Sequence, residues 1–207
     1  MMAEKSVDTI VADVRVCLDE IGVNEAEFLI GADSEDMNAV IKSKISDAIR
    51  FVYLNADLAF IKPSVKSAIV TSDNKGVVRI TLDEDFLRLC FARLADWEFT
   101  VTEAIAHTDK RYAALKNPIT TGYPDNPKAA IVESNGKKLE LYSSGTKGGD
   151  VEYTYGYIAN PIVESDTYDI DDRVYRAVVY HAAGLTLMTF KDAHADSLFN
   201  MAIAMMK

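Results

Sequence analysis

The chain has 207 residues, 49% of them hydrophobic, with 32 acidic against 22 basic side chains and a formal charge of −10. A surface so short of cations argues against a general nucleic-acid wrapper, which needs a basic face to neutralise phosphates, and against adsorption to an anionic membrane. No apolar run approaches the roughly 20 residues that span a bilayer, and no secretory signal is expected behind residues 1–6.

Val7, Ile10, Val11, Val14, Leu18 and Ile21 recur at helical spacing, and Gly22 supplies a stop. A second helix is expected after Asp33 or Ser34, either of which can cap it, with Glu35 and Asp36 where the macrodipole favours negative charge. Its apolar stripe is Met37, Val40, Ile41, Ile45, Ala48, Ile49 and Val52, and Pro63 is its latest end. The period then shortens to two. Val78, Ile80 and Leu82 alternate with Val77, Arg79 and Thr81, which is a strand pattern. Residues 86–94 read as another strand, although Asp83-Glu84-Asp85 could open a helix, and Trp97, Phe99 and Val101 continue the alternation. Residues 104–115 read as a short helix and 120–127 as a turn-rich loop.

Segments 129–134 and 137–142 flank Asn135-Gly136, a pair that tolerates the positive φ angles of a type I′ turn, so a β-hairpin is predicted. Beyond Gly145, Gly148 and Gly149, a third strand places Val151, Tyr153, Tyr155 and Tyr157 on one face and is expected to complete a meander. Asp169, Asp171 and Asp172 suit the start of a helix whose seam is Val174, Val178, His181, Leu185 and Met188. Ala195, Leu198, Phe199, Ala202, Met205 and Met206 carry a last amphipathic stretch. The sum is an α+β fold in one domain, 1–207. Its α-helical bundle comes from about 5–62 and 169–206, with an inserted antiparallel β-meander/hairpin at about 65–160.

Chemistry is sparse. His181 lies on an apolar seam and reads as a hydrogen-bonded core residue; His194, two positions from Asp192, is expected to face away from it. No metal-ligand spacing, Gly-x-Ser-x-Gly elbow or phosphate loop occurs; Gly-Thr-Lys-Gly-Gly at 145–149 precedes a strand and reads as a connection. Cys17 and Cys90 read as buried thiols of a reducing cytoplasm, and the acidic clusters as a solvated turn and a helix start. The tyrosine ladder reads as a half-exposed sheet face or a contact with another subunit, where Tyr is enriched. Phe199, Met201, Met205 and Met206 form an adaptable apolar end suited to packing or to a partner.

One ordered set of pieces goes further. Leu82, Asp85, Phe86, Leu87, Arg88 and Leu89 give Leu-x-x-Asp-Phe-Leu-Arg-Leu. Trp97-Glu98, Tyr112, Pro127-Lys128-Ala129, Leu139-Glu140-Leu141-Tyr142 and Tyr153-x-Tyr155 follow. Over 80–161 this order resembles the head-to-tail adaptor family of short-tailed bacteriophages, which includes the tail tubular (gatekeeper) proteins, and the acidic balance suggests a distant group such as the crAss-like phages. The chain departs from the family at Asp83 and Ser143, where proline is common.

The resemblance implies a non-enzymatic virion protein, assembled in the bacterial cytoplasm into a dodecameric ring at the head-tail junction. Such a ring docks on the portal protein, extends the DNA channel and receives a downstream tail or ring protein, with no cofactor, metal or membrane. Twelve copies at −10 each carry about −120, so genomic DNA is expected to pass without specific binding, along a wall of acidic or neutral side chains. Tyr123, Tyr153, Tyr155, Tyr157, Phe199, Met201, Met205 and Met206 are the expected subunit or portal contacts. The rivals are another neck or tail ring or a tail-completion protein, and a small hydrolase using His107 or His181 with an acidic partner.

Overall fold

The computed structural model describes residues 2–20, 34–117, 119–133, 136–161 and 166–207. Ile21, Gly22, Asp33 and Asn135, expected at a helix end, a cap and a turn, lie outside the described residues. In chain order the described elements are β1 (Met2–Ser6), α1 (Val7–Glu20), α2 (Ser34–Asn55), a 3₁₀ turn (Leu58–Phe60), β2 (Ser64–Thr71), β3 (Val78–Thr81), β4 (Phe86–Leu94), β5 (Ile105–Ala106), α3 (Lys110–Leu115), β6 (Lys128–Val132), β7 (Lys138–Tyr142), β8 (Asp150–Ala159), β9 (Thr167–Asp171), α4 (Asp172–Thr189) and α5 (Ala195–Ala204). The class is α+β, in two units: Met1–Lys62 with Asn160–Lys207, and Pro63–Ala159.

The first unit is helical with a two-stranded ribbon. Its stripes bury as their spacing dictates: Ile10, Val14 and Leu18 on α1, and Met37, Ile41, Ile45, Ala48, Ile49 and Val52 on α2. Helix α4 packs against α1, α2 and α5, so its buried face is far wider than a single seam. Val174, Ala177, Val178, Ala182, Ala183, Thr186 and Leu187 are all buried, whereas Met188, expected on the seam, is exposed. Asp171 caps α4 by accepting the Arg173 N–H at 3.2 Å and is forked by the Arg173 guanidinium at 3.0 and 2.9 Å. That pairing holds its carboxyl down at about 2. Asp169 is not part of the cap; it lies in β9, which pairs antiparallel with β1.

The second unit has two sheets, β2-β8-β4 and β3-β7-β6-β5, antiparallel throughout except for the short β5–β6 pair. Their inner faces share one core: Val78 and Ile80 from β3, Leu139 and Leu141 from β7, Ala92 and Leu94 from β4, Tyr155 and Tyr157 from β8, with Trp97. A smaller core of Val77, Leu115, Ala130 and Tyr142 lies on the other face of the four-stranded sheet.

Three expectations change here. The hairpin strands β6 and β7 do pair, but β8 does not complete a meander. The far edge of β7 is taken by β3, and the glycine-bearing link carries β8 to the centre of the other sheet. Residues 97–101 are not a strand; a turn buries Trp97, and Val101 alone bridges Ala92. Only the end of 104–115 is helical, because Asp109 caps Arg111 while Ile105–Ala106 runs parallel to β6. At Ser143 the backbone takes φ 75°, which proline cannot adopt, so this departure from the adaptor pattern is built into the turn.

Gly184 shows how tightly α4 and α5 approach. A Cβ there would lie 2.7 Å from Phe199 Cε1. Alanine at a helix-interior glycine ordinarily gains about 1 kcal/mol. Overpacking of a filled site costs about 1–3 kcal/mol. We expect Gly184→Ala to be destabilised in urea unfolding, and the addition of Phe199→Leu to recover part of the loss. A more stable Gly184→Ala would contradict the packing.

Candidate functional site

The most polar buried cluster lies on the outer face of the four-stranded sheet, where the register puts Arg79 opposite Glu140 and Glu140 opposite Ala130. Alternation with Leu139 and Leu141 turns Glu140 away from the core, and α3 carries Tyr112 to it. Glu140 is 8% exposed. It accepts three bonds: Arg79 Nε at 3.0 Å, the Tyr112 hydroxyl at 3.0 Å and the Tyr142 hydroxyl at 2.6 Å. Arg79 also donates to Asp73 Oδ2 at 2.9 Å.

Burial opposes charge on Glu140, but bonds from Tyr142, Tyr112 and Arg79 prevail and hold its carboxyl below the usual range. Burial and the same carboxylate push both tyrosines up. Protons therefore stay on the phenols and off the carboxylate near neutral pH, and each carboxylate oxygen is engaged. The cluster is closed on itself and fixes β3, β7 and α3 together. Residue-by-residue reading missed it, although Arg79, Glu140 and Tyr142 carried a signal: all sit on the non-core parity of their strands.

The three histidines sit in different surroundings. His181 is buried, with its ring stacked on Phe51 (centroids 4.0 Å apart, planes 4° apart) and tilted against Phe199 at 5.0 Å. Contrary to the expected hydrogen-bonded core residue, its Nδ1 has no hydrogen-bond partner among the described residues, and burial lowers its pKa. His107 is exposed in the other unit. His194 does meet Asp192, with Nδ1 at 2.8 Å from Oδ1. A turn between α4 and α5, not a helix, holds them, so the expectation from helical spacing does not apply.

Asp83 pairs with Lys66 and accepts the Tyr157 hydroxyl at 3.0 Å. The 145–149 loop is bound into the sheet ends, with Ser144 Oγ and the Thr146 N–H both on Asp96 Oδ2 at 2.7 and 3.1 Å. Cys17 and Cys90 are buried. Among the described residues no group of three or more His, Cys, Asp or Glu side chains could hold a metal. No helix there is long and apolar enough to cross a membrane.

Large apolar side chains are exposed in each unit. In the second unit a groove of about 420 Å³ has a mixed lining, in which Phe99, Val101 and Ile105 stand beside Glu103, Arg111 and Asp125. Phe99 is 60% exposed and Tyr123 59%. Their loops are tied by the Glu98 N–H bond to the Pro124 carbonyl at 3.0 Å. In the helical unit Met201, Ile203, Met188 and Leu58 are exposed.

The expected contact residues thus divide. Tyr123 and Met201 are at the surface, and Tyr153, Phe199 and Met205 are half-buried. Met206 is buried, and Tyr155 and Tyr157 point into the core of their unit at 1% and 3% exposure. Burial pushes the Tyr155 hydroxyl up to about 12.

Fold and sites together define a mixed α+β protein in which Glu140 is fully engaged by its neighbours and several large apolar side chains remain exposed. Comparison with protein-family models and with curated proteins gives no match to this chain.

Two measurements probe the closed clusters. Glu140→Gln should cost about 1–3 kcal/mol in denaturant unfolding, since Arg79 loses one of its two charged partners and two phenols lose a charged acceptor. An unchanged midpoint would mean that the cluster does not hold the sheet. For His181, the folded protein favours the neutral ring, so the unfolded chain binds more protons. Stability should be complete above the ordinary value of 6.5 and fall as pH drops below it. His181→Leu should remove most of that loss between pH 7 and 5 in parallel urea titrations; an identical slope in the variant would contradict the assignment.

Proposed function

We propose that this chain is a structural, non-catalytic subunit of a phage virion: a head-to-tail connector ring protein that docks on the portal, extends the DNA channel and gives tail proteins a platform. The observation that carries this reading is that each unit leaves large apolar side chains exposed. These are Phe99 and Tyr123 beside a groove in one, and Met201, Ile203 and Met188 in the other. A subunit of a head-to-tail ring needs two different contact patches, one for each neighbour, and a third face for the next ring. The buried Glu140 cluster adds weight, because its carboxylate is engaged by three donors.

In this reading the helices form a bundle that docks on the portal, and the inserted β unit acts as an arm toward the adjacent copy. The ring has twelve subunits. DNA passes through a lumen of acidic or neutral side chains without being held, consistent with a subunit charge of −10. The order of motifs over 80–161 supports a place in the adaptor family, and a different neck or tail ring is the nearest competing position.

The C-terminal stretch refines the contact. The Met206 carbonyl accepts the Asp57 N–H at 2.8 Å, and Leu198, Ala202 and Met206 are buried, so removing 199–207 would damage the fold itself. Surface variants are the sharper probe. Native mass spectrometry with the portal protein of the same genome should show a twelve-subunit assembly on the portal. Tyr123→Glu with Met201→Glu should reduce it while leaving the circular-dichroism melt in place. A wild-type chain that ignores the portal and never closes a ring would sink this reading.

A further inference from the structure

Strand β2 is the outer strand of the sheet β2-β8-β4, paired with β8 from Ser64↔Tyr157 to Thr71↔Asp150 without a register shift. No described residue other than those of β8 bonds to its backbone. Seven of its eight residues are exposed, including Val65 at 57% and Ile69 at 71%. A regular, open edge is a template for another strand, and soluble proteins normally blunt such edges with proline, a bulge or a projecting charge. Here β2 has no proline and no bulge. Its single charged side chain, Lys66, is held by Asp83 of the same chain instead of projecting from the edge.

We propose that β2 is an association edge at which a second copy of this chain adds its own β2, antiparallel, across a two-fold axis centred on Ser67. The strand is self-complementary in that register. On the outward face Val65 meets Ile69 of the second copy, Ile69 meets its Val65, and the two Ser67 side chains face one another. Each Ser67 hydroxyl already bonds Thr154 Oγ1 at 2.8 Å, so a polar ladder continues across the junction. On the opposite face Lys66 meets Ala68, and no like charges oppose.

The neighbouring surface extends the apolar strip. Val65 pairs with Gly156, and the Phe91 ring lies over that glycine, where a Cβ would sit 2.2 Å from Phe91 Cε1. Two chains of −10 repel; β2 itself holds none of the 32 carboxylates, and Glu152 of β8, beside Ile69, is the acid that flanks the strip. An isologous contact closes with two copies, so it is separate from the rotational contact of a ring and goes beyond the connector reading.

The test is sedimentation equilibrium of the full chain up to about 200 μM. A monomer–dimer equilibrium is expected. Val65→Lys with Ile69→Lys should raise its Kd about tenfold or more with no change in the thermal melt, since both positions are exposed. Independently of that variant's folding, Ser67→Cys should form a covalent dimer under mild oxidation, because facing side chains on paired strands lie within disulfide reach. Lys66→Cys, set opposite Ala68, should form far less. A wild-type chain monomeric to that concentration, or equal cross-linking at positions 66 and 67, overturns the proposal. So does a dimer that the double lysine variant leaves intact. Portal binding and ring closure by the double lysine variant bear only on the connector reading, so failure of the edge and failure of the ring are told apart.

Discussion

The second unit depends on the direction in which one strand turns its alternate side chains. Strand β8 places Val151, Tyr155 and Tyr157 in the core between the sheets, with Tyr153 packed against it. A strand with period two cannot offer the same residues to the interior and to solvent. Because the tyrosines supply the interior, the opposite face is left with Glu152, Thr154 and Gly156, and Phe91 must cover the glycine. Aromatic stacking follows the same arrangement, with Tyr153–Tyr155 centroids 6.0 Å apart and Tyr155–Tyr157 5.6 Å apart. The central place of β8 leaves β2 and β4 as the edges, and of the two β4 is bridged by Val101 at Ala92.

Polar side chains in both units serve mainly as connectors. Asp171 ends β9 and starts α4, and Arg173, which forks it, reaches the Ala59 carbonyl at 2.7 Å; the Asp171 N–H donates to the Tyr53 hydroxyl at 3.1 Å. One carboxylate thus ties a ribbon, a helix start and the 3₁₀ turn. Glu140 does the equivalent for two strands and α3. Both are held in the charged form by several donors, and such bonds to a buried carboxylate are structurally valuable because leaving any donor unmet would be expensive. The arrangement explains why buried acids here are poor candidates for proton transfer.

Helical periodicity was legible where the buried positions form a single stripe. The buried positions of α1 and α2 follow from spacing alone, as does Asp171 at the start of α4. Periodicity failed on α4 toward Met188, because three helices surround α4 and no single stripe describes its contacts. Strand pairing was less legible. Asn135-Gly136 marks β6 and β7 as neighbours, yet nothing local to β8 says that β3 already occupies the next edge. Strands β1, β2 and β9 were not read at all: β2 mixes small and apolar residues with exposure on both faces, so it lacks the one-sided burial that produces alternation. For the candidate sites, parity could place Arg79, Glu140 and Tyr142 on one face, but only α3 lying over that face turns three surface residues into a buried cluster.

Charge and exposure together say where such a chain can meet another molecule. With ten surplus carboxylates, long-range forces keep copies apart, and association must come from short-range burial at places where acids are absent or already paired. Asp83 is paired with Lys66, Asp109 with Arg111 and Asp171 with Arg173, so these three acids carry their own counter-ions. A chain built this way can associate through short-range apolar contacts even while its net charge keeps copies apart at a distance.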